Sequence, residues 1–171
     1  MKNNFHNYNY SIQLILHPSK QLLDSYFGHD SKRYKFHYDK LSEPEISTLF
    51  TLLTILPANK IIRLPVVNYP EHIKMPDFLF NNTEVEVKTP KTKRGLEDRI
   101  RASKTQFRKE GILAIDLDYY KDNLFNITKV LEHYLGLHEI KNALAILHNK
   151  VIYRKPTKKW LPAAYAGDDR H

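Results

Sequence analysis

A mixed β-sheet flanked by helices, of the α/β or α+β class, is the fold this chain of 171 residues predicts. Three observations carry that prediction. Two strand-like runs, 83–88 and 112–117, bracket a helix-patterned stretch, and a strand–helix–strand step implies a parallel pair joined by a right-handed crossover. Asn81-Asn82 separates two short alternating segments, a hairpin signal because Asn tolerates the left-handed backbone of a two-residue turn. Two further stretches, from Ser42 and from Asn123, repeat apolar residues at helical spacing.

The elements follow in chain order. Residues 1–40 carry Phe5, Tyr8, Tyr10, Tyr26, Phe27, Tyr34, Phe36 and Tyr38, a dense share of the chain's 11 Tyr, 8 Phe and 1 Trp. Ser11–His17 reads as a short apolar strand, and Arg33–Tyr38 alternates basic or His with aromatic residues, which is strand periodicity. Rings beside cations suit nucleic-acid stacking, but packing on a neighbouring core is the commoner use. This stretch is expected to cover the main domain. Ser42-Glu43-Pro44-Glu45 is a capping box with Pro in the first turn. Ile46, Leu49, Phe50, Leu53 and Leu56 follow at helical spacing, up to Pro57. Lys60–Val67 is β-rich but holds Pro65, which predicts an edge position or a bend. Gly95–Arg108 reads as a basic helix closed by Gly111, and Ile112–Leu117 as a strand buried on both faces. Asn123–Leu135 reads as an amphipathic helix ended by Gly136. Ala143–His148 and Val151–Arg154 form a last hairpin about Asn149-Lys150, before a tail at 157–171. The organisation predicted is an aromatic-rich extension (1–40), a main domain (41–156) and a tail.

Composition narrows the function classes. The chain has 27 Lys and Arg against 19 Asp and Glu, a net charge of +8, and no cysteine. Disulfide frameworks, zinc ribbons and cysteine nucleophiles are excluded. No apolar run approaches the roughly 20 residues of a membrane-spanning helix, and residues 1–10 lack the apolar core of a signal peptide. The positive surplus favours a polyanionic partner, although plain solubility also accounts for it. The nine histidines show no metal-binding spacing. His72, five residues before Asp77, is either a general acid within reach of it or an ordinary loop histidine.

The residues richest in chemistry run from Met75 to Lys88. With Asn81-Asn82 as the turn, Phe80 pairs with Thr83, Leu79 with Glu84, Phe78 with Val85 and Asp77 with Glu86. Phe78, Phe80, Val85 and Val87 then share an apolar face, and Asp77, Glu84, Glu86 and Lys88 share the other. Like charges opposite one another destabilise a sheet, unless a cation sits between them or one is protonated. Two carboxylates with open positions suit Mg²⁺ or Mn²⁺. A solvated Glu84/Glu86/Lys88 stripe without function fits the same spacing. Lys88, Lys91, Lys93, Arg94, Arg99, Arg101, Lys104, Arg108 and Lys109 outnumber Glu97, Asp98 and Glu110 between positions 88 and 110. A carboxylate site beside such a wall is what a metal-dependent phosphodiesterase needs; Lys91, Lys93, Arg94, Arg99, Arg101 and Lys104 are the candidate nucleic-acid contacts.

Pro76-Asp77 followed by Glu86-Val87-Lys88, within the order helix, three strands, helix, strand, resembles the PD-(D/E)XK nuclease superfamily. Over about residues 42–118 the chain looks like the C-terminal tRNA-nuclease domains of contact-dependent growth-inhibition (CdiA-type) toxins. The matched features are Pro76–Leu79, Glu86–Pro90, a helix bearing Gln106, and Ile115–Leu117. Residues 1–40 lie outside it. The resemblance implies a PD-(D/E)XK core in which Asp77, Glu86 and the Val87 carbonyl hold Mg²⁺ or Mn²⁺. Lys88 would orient water or stabilise transition-state charge, and Gln106 would fix Lys88 or the scissile phosphate. Glu45 would complete the site, although its place in the capping box accounts for it equally; Glu84, nearer the turn, is auxiliary.

The function so implied is a metal-dependent, toxin-type RNase acting on tRNA, with a cognate immunity protein as a further partner. It would work in the cytoplasm, its own or that of a cell into which it is delivered. A DNA endonuclease of the same fold is the nearest alternative. A catalytically inactive nucleic-acid-binding or structural protein of a phage or mobile element is the second; it would need the basic helix but not the Asp77/Glu86/Lys88 trio.

Overall fold

The computed structural model describes residues 12–28, 34–55, 60–69, 74–107 and 110–155. Its elements in order are β1 (Gln13–Ile15), α1 (Lys20–Phe27), β2 (Lys35–His37), α2 (Glu43–Ile55), β3 (Lys60–Arg63), β4 (Val66–Tyr69), β5 (Phe78–Phe80) and β6 (Thr83–Lys88). Then come α3 (Lys93–Ser103), β7 (Ile112–Asp116), α4 (Ile127–Leu137), β8 (Ala143–Leu147) and β9 (Lys150–Lys155). Seven strands form a mixed sheet in the order β1-β3-β5-β6-β7-β8-β9, and β2 and β4 form a separate ribbon. The β6–β7 and β7–β8 pairs are parallel, with α3 and α4 as their crossovers. The mixed α/β class is as the sequence predicts.

Alternation along the strands builds two cores. Phe78, Phe80, Val85, Val87, Ile112 and Ala114 are buried with Leu49 and Leu52 of α2. Leu113, Ile115, Ala143 and Ala145 are buried with Leu96 and Ile100 of α3 and Leu131 and Leu135 of α4. The sheet is thus a middle layer, with α2 on one face and α3 and α4 on the other. Helix α2 starts as its capping box directs: Glu45 N–H donates to Ser42 Oγ at 3.4 Å, and Ser42 N–H donates back to the Glu45 carboxylate at 2.6 Å.

Several sequence expectations shift. Pro65 marks a bend, as one alternative had it: the chain leaves the central sheet after β3 and enters the ribbon as β4. β3 itself is internal, between β1 and β5. Helix α3 starts earlier than Gly95, because Thr92 caps it by accepting the Gly95 N–H at 3.1 Å, and it ends at Ser103. Gln106 therefore lies in the turn after the helix rather than on it. Helix α4 starts at Ile127, after Asn126 in left-handed conformation (φ 63°), and runs through Gly136 instead of stopping there. The last hairpin turns at His148-Asn149, both with positive φ, one residue before the predicted position. Gly111 ends no helix within the described residues; a Cβ there would stand 2.7 Å from the Glu84 carbonyl oxygen and closer still to the Phe107 ring. Glycine is needed because two backbones pass at contact distance where β7 begins.

The extension is more than a cover. β1 pairs in parallel with β3 at the sheet edge. α1 has no counterpart in the sequence reading, although Ser19 as its cap and Leu22, Leu23, Tyr26 and Phe27 at helical spacing mark it. Phe27 and Leu23 bury against Val67 of β4, with Tyr26, Tyr34 and Phe36 packed around them. Tyr26, Phe27, Tyr34 and Phe36 pack together, as expected, while half-buried Tyr38 meets His17 and Arg63 instead; Phe5, Tyr8 and Tyr10, like the tail at 157–171, lie outside the described residues.

Candidate active site

The hairpin register is the predicted one: Phe78 pairs with Val85, Leu79 with Glu84, and Phe80 with Thr83, with Asn81 at φ 55° in the turn. The ladder stops one pair short of Asp77 and Glu86. Asp77 instead turns its side chain on the facing backbone, and its Oδ2 accepts the Val87 N–H at 2.7 Å. Its own carbonyl accepts from Leu64 N–H at 2.9 Å, which ties it to the end of β3.

The opposite face of β6 is not the solvated stripe that the alternation also allows. Glu84 is 1% exposed and Glu86 fully buried. Glu84 accepts from the Tyr26 hydroxyl of α1, so the N-terminal helix accounts for it. Glu86 is different. One oxygen, Oε1, takes the Lys88 ammonium in an ion pair, and the other, Oε2, is buried without a hydrogen-bond partner. Burial, and then the charge of Asp77, push its pKa up to about 8 against the opposing pull of Lys88 and a Gln106 hydrogen bond. Asp77 is pushed up to about 6, chiefly by burial and further by the charge of Glu45, while the Val87 N–H, Lys88 and Arg63 pull it down. Asp77, Glu86 and Lys88 therefore act on one another at the end of β6, as the sequence predicts. The resulting unit is two neighbouring carboxyls that burial and mutual repulsion push toward the protonated form, and that a cation would push back.

Glu45 sits in its capping box and still acts on Asp77 through its charge, so the two roles coexist. Gln106 bonds to Glu86, not to Lys88, and its carbonyl oxygen Oε1 is buried without a partner. Lys91, Lys93, Arg94, Arg99, Arg101 and Lys104 are all exposed along and around α3. Two of them are engaged, Arg101 with Asp98 at 2.7 Å and Lys104 with Glu139 at 2.5 Å. Lys91, Lys93, Arg94 and Arg99 make no ion pair among the described residues. His72 lies outside the described residues.

Arg63 escaped the sequence reading, and so did the α2 partner of Asp116, whose place at the strand end suggests only a cap or a surface role. Arg63, at the end of β3, stands close enough to Asp77 to act on it and donates to the Asp39 carbonyl; a lone cation in Ile61-Ile62-Arg63-Leu64 was the available signal. Asp116 closes β7 on the α2 face, buried, accepting from Thr48 Oγ1 at 3.2 Å and from Asp118 N–H at 2.9 Å. No local pattern marks that contact, because 68 residues separate its partners.

A divalent cation fits the donors at hand. Asp77 and Glu86 supply hard oxygens, the orphaned Glu86 Oε2 lacks a donor or cation, and both carboxyls are pushed toward the protonated form, which a nearby positive charge would oppose. Among the described residues no three His, Cys, Asp or Glu side chains group to hold a metal, so waters or substrate oxygens would fill the remaining positions, as Mg²⁺ prefers. Likewise no described helix is long and apolar enough to cross a membrane. No protein-family model, curated protein or solved structure matches the chain.

Proposed function

We propose that the protein is a metal-dependent nuclease of PD-(D/E)XK type that hydrolyses phosphodiester bonds, with tRNA as its substrate in the manner of the toxin domains it resembles. The observation that carries this reading is the buried Asp77–Glu86 pair, with an unpartnered Glu86 oxygen and Lys88 on the same strand, near exposed cations of α3. Asp77, Glu86 and the Val87 carbonyl would hold Mg²⁺ or Mn²⁺. The cation supplies charge neutralisation and a more acidic water at neutral pH. Lys88 has the ammonium that can leave Glu86 for a phosphate oxygen as negative charge grows there. Val87 N–H and Gln106 keep the two carboxylates aimed. Lys91, Lys93, Arg94 and Arg99 are free to neutralise the backbone of the bound strand.

A DNA target keeps the same mechanism. The non-catalytic reading draws on one observation, the Lys88 ammonium already seated on Glu86, which gives that carboxylate a permanent counter-charge. Cleavage of total tRNA and of plasmid DNA in Mg²⁺, Mn²⁺ or EDTA, with wild type beside Glu86→Ala, separates the three. Metal-dependent cutting of tRNA that Glu86→Ala abolishes is the expected result. Cutting of plasmid alone moves the target to DNA. Binding of either without cutting sinks the catalytic reading.

A further inference from the structure

A cleft of about 270 Å³ opens beside the carboxylate pair and shares Asp77 with it. Leu64, Pro65, Val66 and Met75 form apolar walls, and Asp77, Gln106 and Lys74 bring polar groups to it, the Lys74 ammonium donating to Thr105 Oγ1 at 3.3 Å. Leu64 and Pro65 are buried and Met75 is half-buried, so these walls are set by packing and not by loose side chains. Gln106 is the informative residue. Its side chain stands within reach of Glu86 and favours the charged form of that carboxyl, which is the effect of its NH₂ end and not of its carbonyl. The carbonyl oxygen is the atom left buried without a partner. A buried acceptor of this kind costs about 1–3 kcal/mol unless a donor reaches it.

We propose that this cleft takes one unpaired nucleobase next to the phosphate held at Asp77 and Glu86, with its ring between the apolar walls and an N–H of its edge donated to Gln106 Oε1. The inference rests on the nuclease reading for its polymer but not for its contact. Every base carries a ring amide or exocyclic amine able to donate, whereas ribose phosphate carries neither. The size admits a single ring system and not a base pair, so the strand must be open at this point. Unstacking costs least in a loop or single strand. Because the neighbouring phosphate lies at the carboxylates, cleavage is expected in loops and not in duplex stems.

The test uses the full chain and four nucleoside 5′-monophosphates against ribose 5-phosphate. Titrations are followed by calorimetry and by NMR of the Gln106 side-chain amide and the Leu64 and Met75 methyl groups. The nucleotides are expected to bind at least tenfold more tightly than ribose 5-phosphate and to shift those signals. Val66→Trp, which fills the cleft from the exposed edge of β4, is expected to erase the difference, and the wild-type NMR map stands should that variant not fold. Equal binding of ribose 5-phosphate, or shifts that map elsewhere, overturns the base site even if RNA or DNA is still cut in a Glu86-dependent way. Conversely, nucleotide binding in the cleft without cleavage of any polymer leaves the base site standing and overturns the nuclease reading.

Discussion

Two buried acids lie on adjacent strands, Glu86 within β6 and Asp116 at the end of β7, and they are finished differently. Asp116, at the end of β7, has a donor for each oxygen, the Thr48 hydroxyl on Oδ2 and the Asp118 N–H on Oδ1. Asp118 in turn accepts the His148 N–H at 2.5 Å, tying the last hairpin to the same corner. Glu86, on β6, has a cation on one oxygen and nothing on the other, with a second carboxylate nearby. Burial pushes the pKa of both up. The difference lies in satisfaction. A buried polar group with full hydrogen bonding is a joint, here between α2 and the sheet. A buried group left short of a partner costs folding energy, which a water, a cation or a substrate atom can offset.

The comparison breaks most readily at Glu86. Glu86→Ala is expected to lower cleavage by at least about 100-fold, the scale of losing a group that stabilises transition-state charge, while the fold survives. Thr48→Val should do the reverse. It leaves the buried Asp116 oxygen without its donor and is expected to cost about 1–3 kcal/mol of unfolding free energy, read from urea denaturation. Activity of the folded variant should stay within a few-fold. Equal loss of activity in the two variants would show that Asp116 belongs to the site and not to the scaffold.

Protons sharpen the contrast. Glu86 and Asp77 hold protons more tightly folded than unfolded, so without metal their contribution is fully present below the ordinary carboxylate range. It is lost as pH rises past about 6 for Asp77 and about 8 for Glu86. In EDTA the thermal midpoint of wild type, measured relative to Glu86→Gln, should therefore fall between pH 5 and pH 8.5. Mg²⁺ or Mn²⁺ takes the protons' place, so the midpoint gained on adding it should be greater at pH 8.5 than at pH 5. A cation effect independent of pH, or retained in Glu86→Gln, would detach the metal from this pair.

The smallest effects belong to the basic surface. Arg99→Ala is expected to flatten the dependence of log affinity on log salt by roughly 0.7–0.9 if its contact is with a phosphate. Arg101→Ala and Lys104→Ala should change it less, because Asp98 and Glu139 already engage those cations. Equal slopes for all three would mean that the nucleic acid approaches from another side.

How much of this was legible beforehand follows the range of the interactions. The hairpin register about Asn81-Asn82, the capping box at Ser42 and Glu45, and the apolar face of Phe78, Phe80, Val85 and Val87 depend on neighbours within a few residues, and they read directly. Positions that hang on a single backbone angle read less well. Asn126 and His148 adopt positive φ where the sequence favoured other turn positions, and Gly136 stays helical because nothing nearby compels it to stop.

By itself, then, the sequence determined the local grammar: which segments are strands, how the hairpin pairs, and that Asp77, Glu86 and Lys88 share one end of one strand pair. Pleat and turn geometry leave few alternatives at that range. Only the tertiary structure decided what each charged group meets. It seated Tyr26 on Glu84 and Thr48 on Asp116 across 58 and 68 residues of chain. It brought Arg63 within reach of Asp77, set Gln106 after the helix rather than on it, and left Glu86 Oε2 bare. The physical reason is that burial and partner choice depend on which elements pack together, a sum over many weak contacts that no local pattern encodes.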